Sequence, residues 1–150
     1  MANKKETNMD AIAIFDQYWM TSQAFIKATD SYLQKSTGLS AGKFLVLMVL
    51  YFAKGPMASS KLAAGTGTRP HNITVLIRGL KEQGLVATEK GATDNRFVYI
   101  TLTPEGKALV KKALPAANEF ATRVVSSLSE ADLAELQRLL GVISNNLKPK

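Results

Sequence analysis

Between Asp10 and Lys35, apolar side chains recur at Ile12, Phe15, Trp19, Phe25, Ala28 and Tyr32, with Ile14 and Tyr18 beside them. That is the three-to-four spacing of a helix, and one long helix is predicted there. Thr37-Gly38-Leu39-Ser40 breaks it: the glycine suits a helix end and Ser40 suits the cap of the next helix. The second helix has a wholly apolar body, FLVLMVLYFA from Phe44 to Ala53, which marks it for burial, and it ends near Lys54-Gly55-Pro56. Ser59 or Ser60 is then expected to cap a short helix, SKLAAG, closed by Gly65 and Gly67. Thr68 precedes a further helical segment, Arg69 to Gln83, with Pro70 in its first turn. In that segment Ile73, Leu76, Ile77 and Leu80 share one face, while Arg69, His71, Asn72, Thr74, Arg78 and Lys81 fall largely on the others.

Gly84 ends the helical pattern, and two runs rich in β-branched and aromatic residues follow, Leu85 to Thr88 and Phe97 to Leu102. They read as short strands joined by a hairpin over Glu89 to Arg96. Thr103 suits the cap of a new helix with Pro104 at its first position, although Gly106 stands where the reciprocal acid of a capping box belongs. That helix continues through Leu109, Leu114 and Phe120 to Val125, with Pro115 as a kink and not an end. Ser129 with Asp132 starts a final helix bearing an apolar stripe of Leu133, Leu136, Leu140, Ile143 and Leu147.

Composition narrows the functional classes. At 150 residues and 46% apolar, the chain is one domain's worth of protein and has enough apolar material for a core. It contains no cysteine, which excludes disulfide scaffolds, thiolate zinc sites and cysteine nucleophiles. The opening MANKKETNMD lacks the apolar stretch of a secretory signal, so a cytoplasmic location is expected. The apolar run from Phe44 to Ala53 falls short of the about 20 residues needed to span a bilayer, and no membrane partner is expected. One histidine and no Gly-rich phosphate loop or paired carboxylates leave no catalytic constellation, so no enzyme, cofactor or metal is expected.

The net charge of +7 is unevenly spread. Residues 1–53 hold five basic and four acidic side chains, residues 54–112 ten and four, and residues 113–150 four and four. A basic module thus sits between two near-neutral arms, which points to an anionic partner.

The order helix, helix, helix, strand, hairpin, strand is that of a winged helix-turn-helix. The expected fold is mainly α with a small β-hairpin wing, an α+β arrangement. Its second short helix would present polar residues to a major groove about 12 Å wide. Candidate DNA contacts are Ser59, Ser60, Lys61, Thr68, Arg69, His71, Asn72, Thr74 and Arg78, with Lys90, Asp94 and Arg96 on the hairpin. A narrow minor groove attracts arginine, which suits Arg96.

The segments KLAAGTGTRPHNITVLIRGLKEQGLV and EKGATDNRFVYITLTPEGKAL resemble the signature region of MarR-type regulators over about residues 40–112. The matching motifs are Asp94-Asn95-Arg96 in the wing and Leu102-Thr103-Pro104-Glu105-Gly106 after it. The resemblance implies that Arg96 enters a minor groove while Asp94 holds the wing in shape. It also implies a homodimer built on the terminal helices. The expected organisation is one domain, 1–150, with a winged helix-turn-helix over 40–112 and dimerisation helices over 1–36 and 113–150. Thr88 and Glu89 depart from the often basic wing of that family.

Phe15, Tyr18, Trp19, Phe44, Met48 and Tyr51 suit either a core or a ligand box. The resemblance implies that a small aromatic or phenolic effector binds such a group. The expected function is a homodimeric, sequence-specific regulator of double-stranded DNA, a repressor on a palindromic operator. The alternative is a winged-helix module for architectural binding or protein contact, without sequence discrimination.

Overall fold

The computed structural model describes residues 6–91 and 97–148. Its elements run α1 (Glu6–Thr37), α2 (Ala41–Ala53), β1 (Met57–Ala58), α3 (Ser59–Thr66), α4 (Pro70–Glu82), β2 (Val86–Lys90), β3 (Val98–Leu102), α5 (Pro104–Val124) and α6 (Glu130–Asn146). Among the described residues no single helix is long and apolar enough to cross a membrane. The chain divides into two compact units, Met1–Leu114 and Pro115–Lys150.

In the first unit, α1 stops where Gly38 takes φ 72°, a left-handed conformation that costs glycine little. The start of α2 is then held twice. Ser40 accepts from the Lys43 amide at 3.4 Å, and the Asp30 carboxylate of α1 accepts from the Ala41 amide at 2.7 Å. Two of the amides that a helix start leaves without intrahelical partners are thereby satisfied. The apolar body of α2 becomes the centre of the core: Val46 and Leu47 are fully buried, together with Leu62 of α3, Ile73 and Leu80 of α4, Ile100 of β3 and Val110 of α5. Small residues let the helices close on one another. A Cβ at Gly65 would lie 3.3 Å from Val49, and one at Gly42 3.5 Å from Leu76.

The sheet is antiparallel with strand order β1-β3-β2. Val86 lies opposite Leu102 and Lys90 opposite Val98, while Met57 and Ala58 pair with Ile100 and Tyr99 on the other edge of β3. The strand β1 was not expected, because two residues are too few for a period-two pattern to show. Its pairing moves the start of α3. The chain passes straight from Ala58 into the helix, so Ala58 is the N-cap, without a side-chain bond, and Ser59 lies inside the helix. The expected serine cap is therefore corrected. Gly65 lies within α3, and Gly67 alone closes it at φ 63°.

In the second unit, α6 begins with a full capping box. Ser129 accepts from the Asp132 amide at 3.2 Å, and Asp132 accepts in return from the Ser129 amide at 3.0 Å. Arg138 and Glu135 form a forked pair at 2.8 and 2.7 Å on its surface. The helix α5 runs through Pro115 to Val124, as the sequence pattern predicts.

Candidate nucleic-acid interface

The turn between α3 and α4 is shaped by Gly67, whose amide reaches back to the carbonyls of Ala63 and Ala64. Arg69 then serves as the extended N-cap of α4, and Pro70, whose fixed φ suits a first helical position, begins it. The amphipathic pattern is realised fully. Ile73, Ile77 and Leu80 are buried, while His71, Asn72, Thr74 and Arg78 are exposed. No acid lies in the first turn of α4, and Arg69 makes no side-chain capping bond, so the amide end of the helix dipole stays uncompensated and faces a basic neighbourhood. Such a terminus favours phosphate. The Thr74 hydroxyl donates to the Pro70 carbonyl at 3.0 Å, which leaves its oxygen free to accept. Lys61 and Ser60 are exposed on α3, whereas Ser59 and Thr68 are half-buried.

Sequence reasoning missed Val75. It lies at the middle of the polar face, one turn from His71 and three residues from Arg78, and is 45% exposed. An apolar side chain there matches the methyl group that thymine presents in the major groove. The signal was present in the helical spacing, but an outward valine reads as a neutral surface position until the buried face is known.

The wing is anchored to α4 and to α5. The Lys81 ammonium donates to the Thr88 hydroxyl at 2.9 Å, joining the end of α4 to β2. The Thr103 hydroxyl donates to the Gly84 carbonyl at 2.7 Å and accepts from the Gly106 amide at 3.1 Å, so one residue caps α5 and holds the turn after α4. Lys90 is exposed near the end of β2, and the Gly91 amide still pairs with the Phe97 carbonyl at 2.8 Å. Asp94 and Arg96 lie outside the described residues. A groove of about 390 Å³ runs between Ser59 and Ser60 of α3, Pro70 and Thr74 of α4, and Phe97 and Val98 at the wing. Recognition helix and wing thus frame one open surface.

The aromatic group is divided. Phe15, Tyr18 and Trp19 stand open on α1 at 61, 43 and 54% exposure, with the Phe15 and Trp19 rings 6.4 Å apart. Phe44 is only 4% exposed, and Met48 and Tyr51 are half-buried against the core.

A helix-turn-helix whose second helix offers a polar, basic face beside an antiparallel wing defines a winged-helix DNA-binding regulator. The family model for the transcriptional regulators SarA/Rot matches residues 28–113. The chain is 33% identical over 111 residues to the HTH-type transcriptional repressor YetL of Bacillus subtilis, a match spanning 73% of this chain and 66% of that protein. Its fold is that of Sco3205, a MarR family regulator from Streptomyces coelicolor solved in complex with DNA, at a TM-score of 0.86, 18% identity, and 95% and 90% coverage of the two chains. BpsR of Bordetella bronchiseptica, whose DNA binding is regulated by 6-hydroxynicotinic acid, matches at a TM-score of 0.73 and 24% identity, covering 85% and 98%. The chain belongs to the SarA/Rot family of transcriptional regulators, a MarR-like winged-helix family, and is not an enzyme.

Proposed function

We propose that the protein is a homodimeric, sequence-specific repressor, each protomer reading one half of a palindromic operator in double-stranded DNA. The observation that carries this reading is the division of α4: its apolar face is locked into the core while His71, Asn72, Thr74, Val75 and Arg78 stand open at one end of a basic, acid-free helix start. Arg69, Lys61, Ser60, Ser59 and Thr68 supply flanking phosphate contacts, and Arg78 with Asn72 base or phosphate contacts. On the wing, Lys90 and Arg96 engage the adjacent minor groove while Asp94 keeps the turn in shape, a role that rests on sequence. The apolar residues left open on α1 and α6 supply the surface for a second copy. A small aromatic ligand held by Phe15, Tyr18 and Trp19 of α1, with the exposed edges of Met48 and Tyr51 and with Phe44 behind them, relieves the repression. The protein works in the cytoplasm, where the DNA is.

Selection of bound duplexes from a random DNA pool at about 150 mM salt tests the reading. The expected result is enrichment of a palindrome with half-site centres about 10 base pairs apart. Salt-sensitive binding without enrichment overturns it in favour of the architectural alternative.

A further inference from the structure

Helix α2 ends at Lys54, which takes φ 56° and is the one described residue other than glycine with positive φ. The reversal turns Gly55 and Pro56 toward β3 and opens a pocket of about 250 Å³ against Thr101, Leu102 and Lys107. Its floor is apolar, with Leu50 at 2% and Leu102 at 8% exposure. Its rim carries the Lys54 and Lys107 ammoniums, the Tyr51 phenol and the Thr101 hydroxyl, and no carboxylate. Among the described residues neither lysine has a hydrogen-bond or ion-pair partner. The carbonyl end of α2 accounts for a cation at Lys54. It does not account for Lys107, which sits near the amino end of α5, where the helix dipole disfavours positive charge.

We propose that this pocket binds a small carboxylate anion carrying one ring. The carboxylate lies between the Lys54 and Lys107 ammoniums within reach of the Tyr51 hydroxyl, and the ring rests on Leu50 and Leu102. Size supports the class: an apolar cavity of about 150 Å³ accepts benzene, whereas pockets for drug-sized molecules begin near about 300 Å³. Two ammoniums over an apolar floor favour an anion with an apolar body over a bare, strongly hydrated one. The site is separate from the aromatic residues open on α1.

Titration of the full chain with benzoate, followed by amide NMR shifts and calorimetry without DNA, tests the site independently of the regulatory reading. Saturable shifts are expected at Gly55, Thr101 and Lys107. Lys54→Gly, chosen because glycine accepts φ 56° without strain, and Lys107→Gln should each weaken binding about three- to tenfold. Benzyl alcohol, which keeps the ring and loses the charge, and inorganic phosphate, which keeps charge and loses the ring, should each bind about tenfold more weakly or worse. No saturation at millimolar benzoate, shifts confined to the α1 aromatics, or wild-type affinity in both lysine variants overturns the assignment. Phosphate binding as tightly as benzoate overturns the ring-bearing class.

Discussion

At the residue scale, Gly106 has a meaning that the sequence pattern misses. Three residues after the Thr103 cap, it looks like a gap in a capping box. In the folded chain a Cβ at this position would collide with the Leu85 carbonyl oxygen and stand 3.1 Å from a Leu102 methyl. The start of α5 is pressed onto the turn leading into the wing, where the Thr103 amide donates to that same carbonyl at 3.2 Å. Gly106→Ala should therefore cost about 3 kcal/mol, measured by denaturant unfolding. A loss below about 0.5 kcal/mol would show that the contact yields. Gly79 has a milder reason: the Lys43 side chain of α2 crosses it, with Cε and Nζ each 3.0 Å from where a Cβ would stand. Asp30 could not be recognised as a cap, because it lies 11 residues before the amide it serves.

At the scale of elements, helices were read well because their apolar spacing and their caps are local. Ser40, Pro70, Thr103 and the Ser129–Asp132 box all appear where the pattern puts them. The box also sets a pH dependence. The Ser129 hydroxyl, 2.6 Å away, and then the Ser129 amide hold the Asp132 carboxyl below the ordinary aspartate range. A carboxylate with a lowered folded-state pKa contributes stability above its unfolded value, and that contribution is lost as pH falls through the folded one. Ser129→Ala should cost about 1 kcal/mol at neutral pH, and the deficit should shrink as pH drops below the carboxylate range. Thermal unfolding of both proteins across that range checks it; a deficit that stays constant down to full protonation of Asp132 contradicts the assignment.

At the scale of the molecule, charge and apolar surface are allotted to different parts. The basic excess lies in residues 54–112, which include α3, α4 and the sheet. The terminal helices instead leave large apolar side chains open, among them Ile12, Phe15 and Trp19 on α1 and Leu136, Leu140 and Ile143 on α6. Scattered exposed apolar residues are ordinary, but rows of them along one helix mark an interface. Leu136→Glu with Leu140→Glu, at positions 38 and 43% exposed, should leave the protomer folded and convert a dimer to monomer in sedimentation velocity, with loss of tight operator binding. A dimer of unchanged mass would remove α6 from the proposed interface.

The sequence alone determined the helices, the two strands of the wing, the face of α4 that enters the core and the concentration of charge around it. Those features depend on spacing of 3.6 or 2 residues and on caps a few residues away, so a single chain displays them. Only the tertiary structure decided what long-range contacts produce. The strand β1 exists because β3 offers it an edge, and Ala58 replaces a serine as cap for that reason. The same holds for the collision that requires glycine at 106, for the outward place of Val75 and for the separation of Phe44 from the open aromatics of α1. The pocket that brings Lys54 to Lys107 belongs with them, since it joins residues 53 positions apart in the chain. No local pattern encodes such a meeting; packing the apolar faces around α2 produces it.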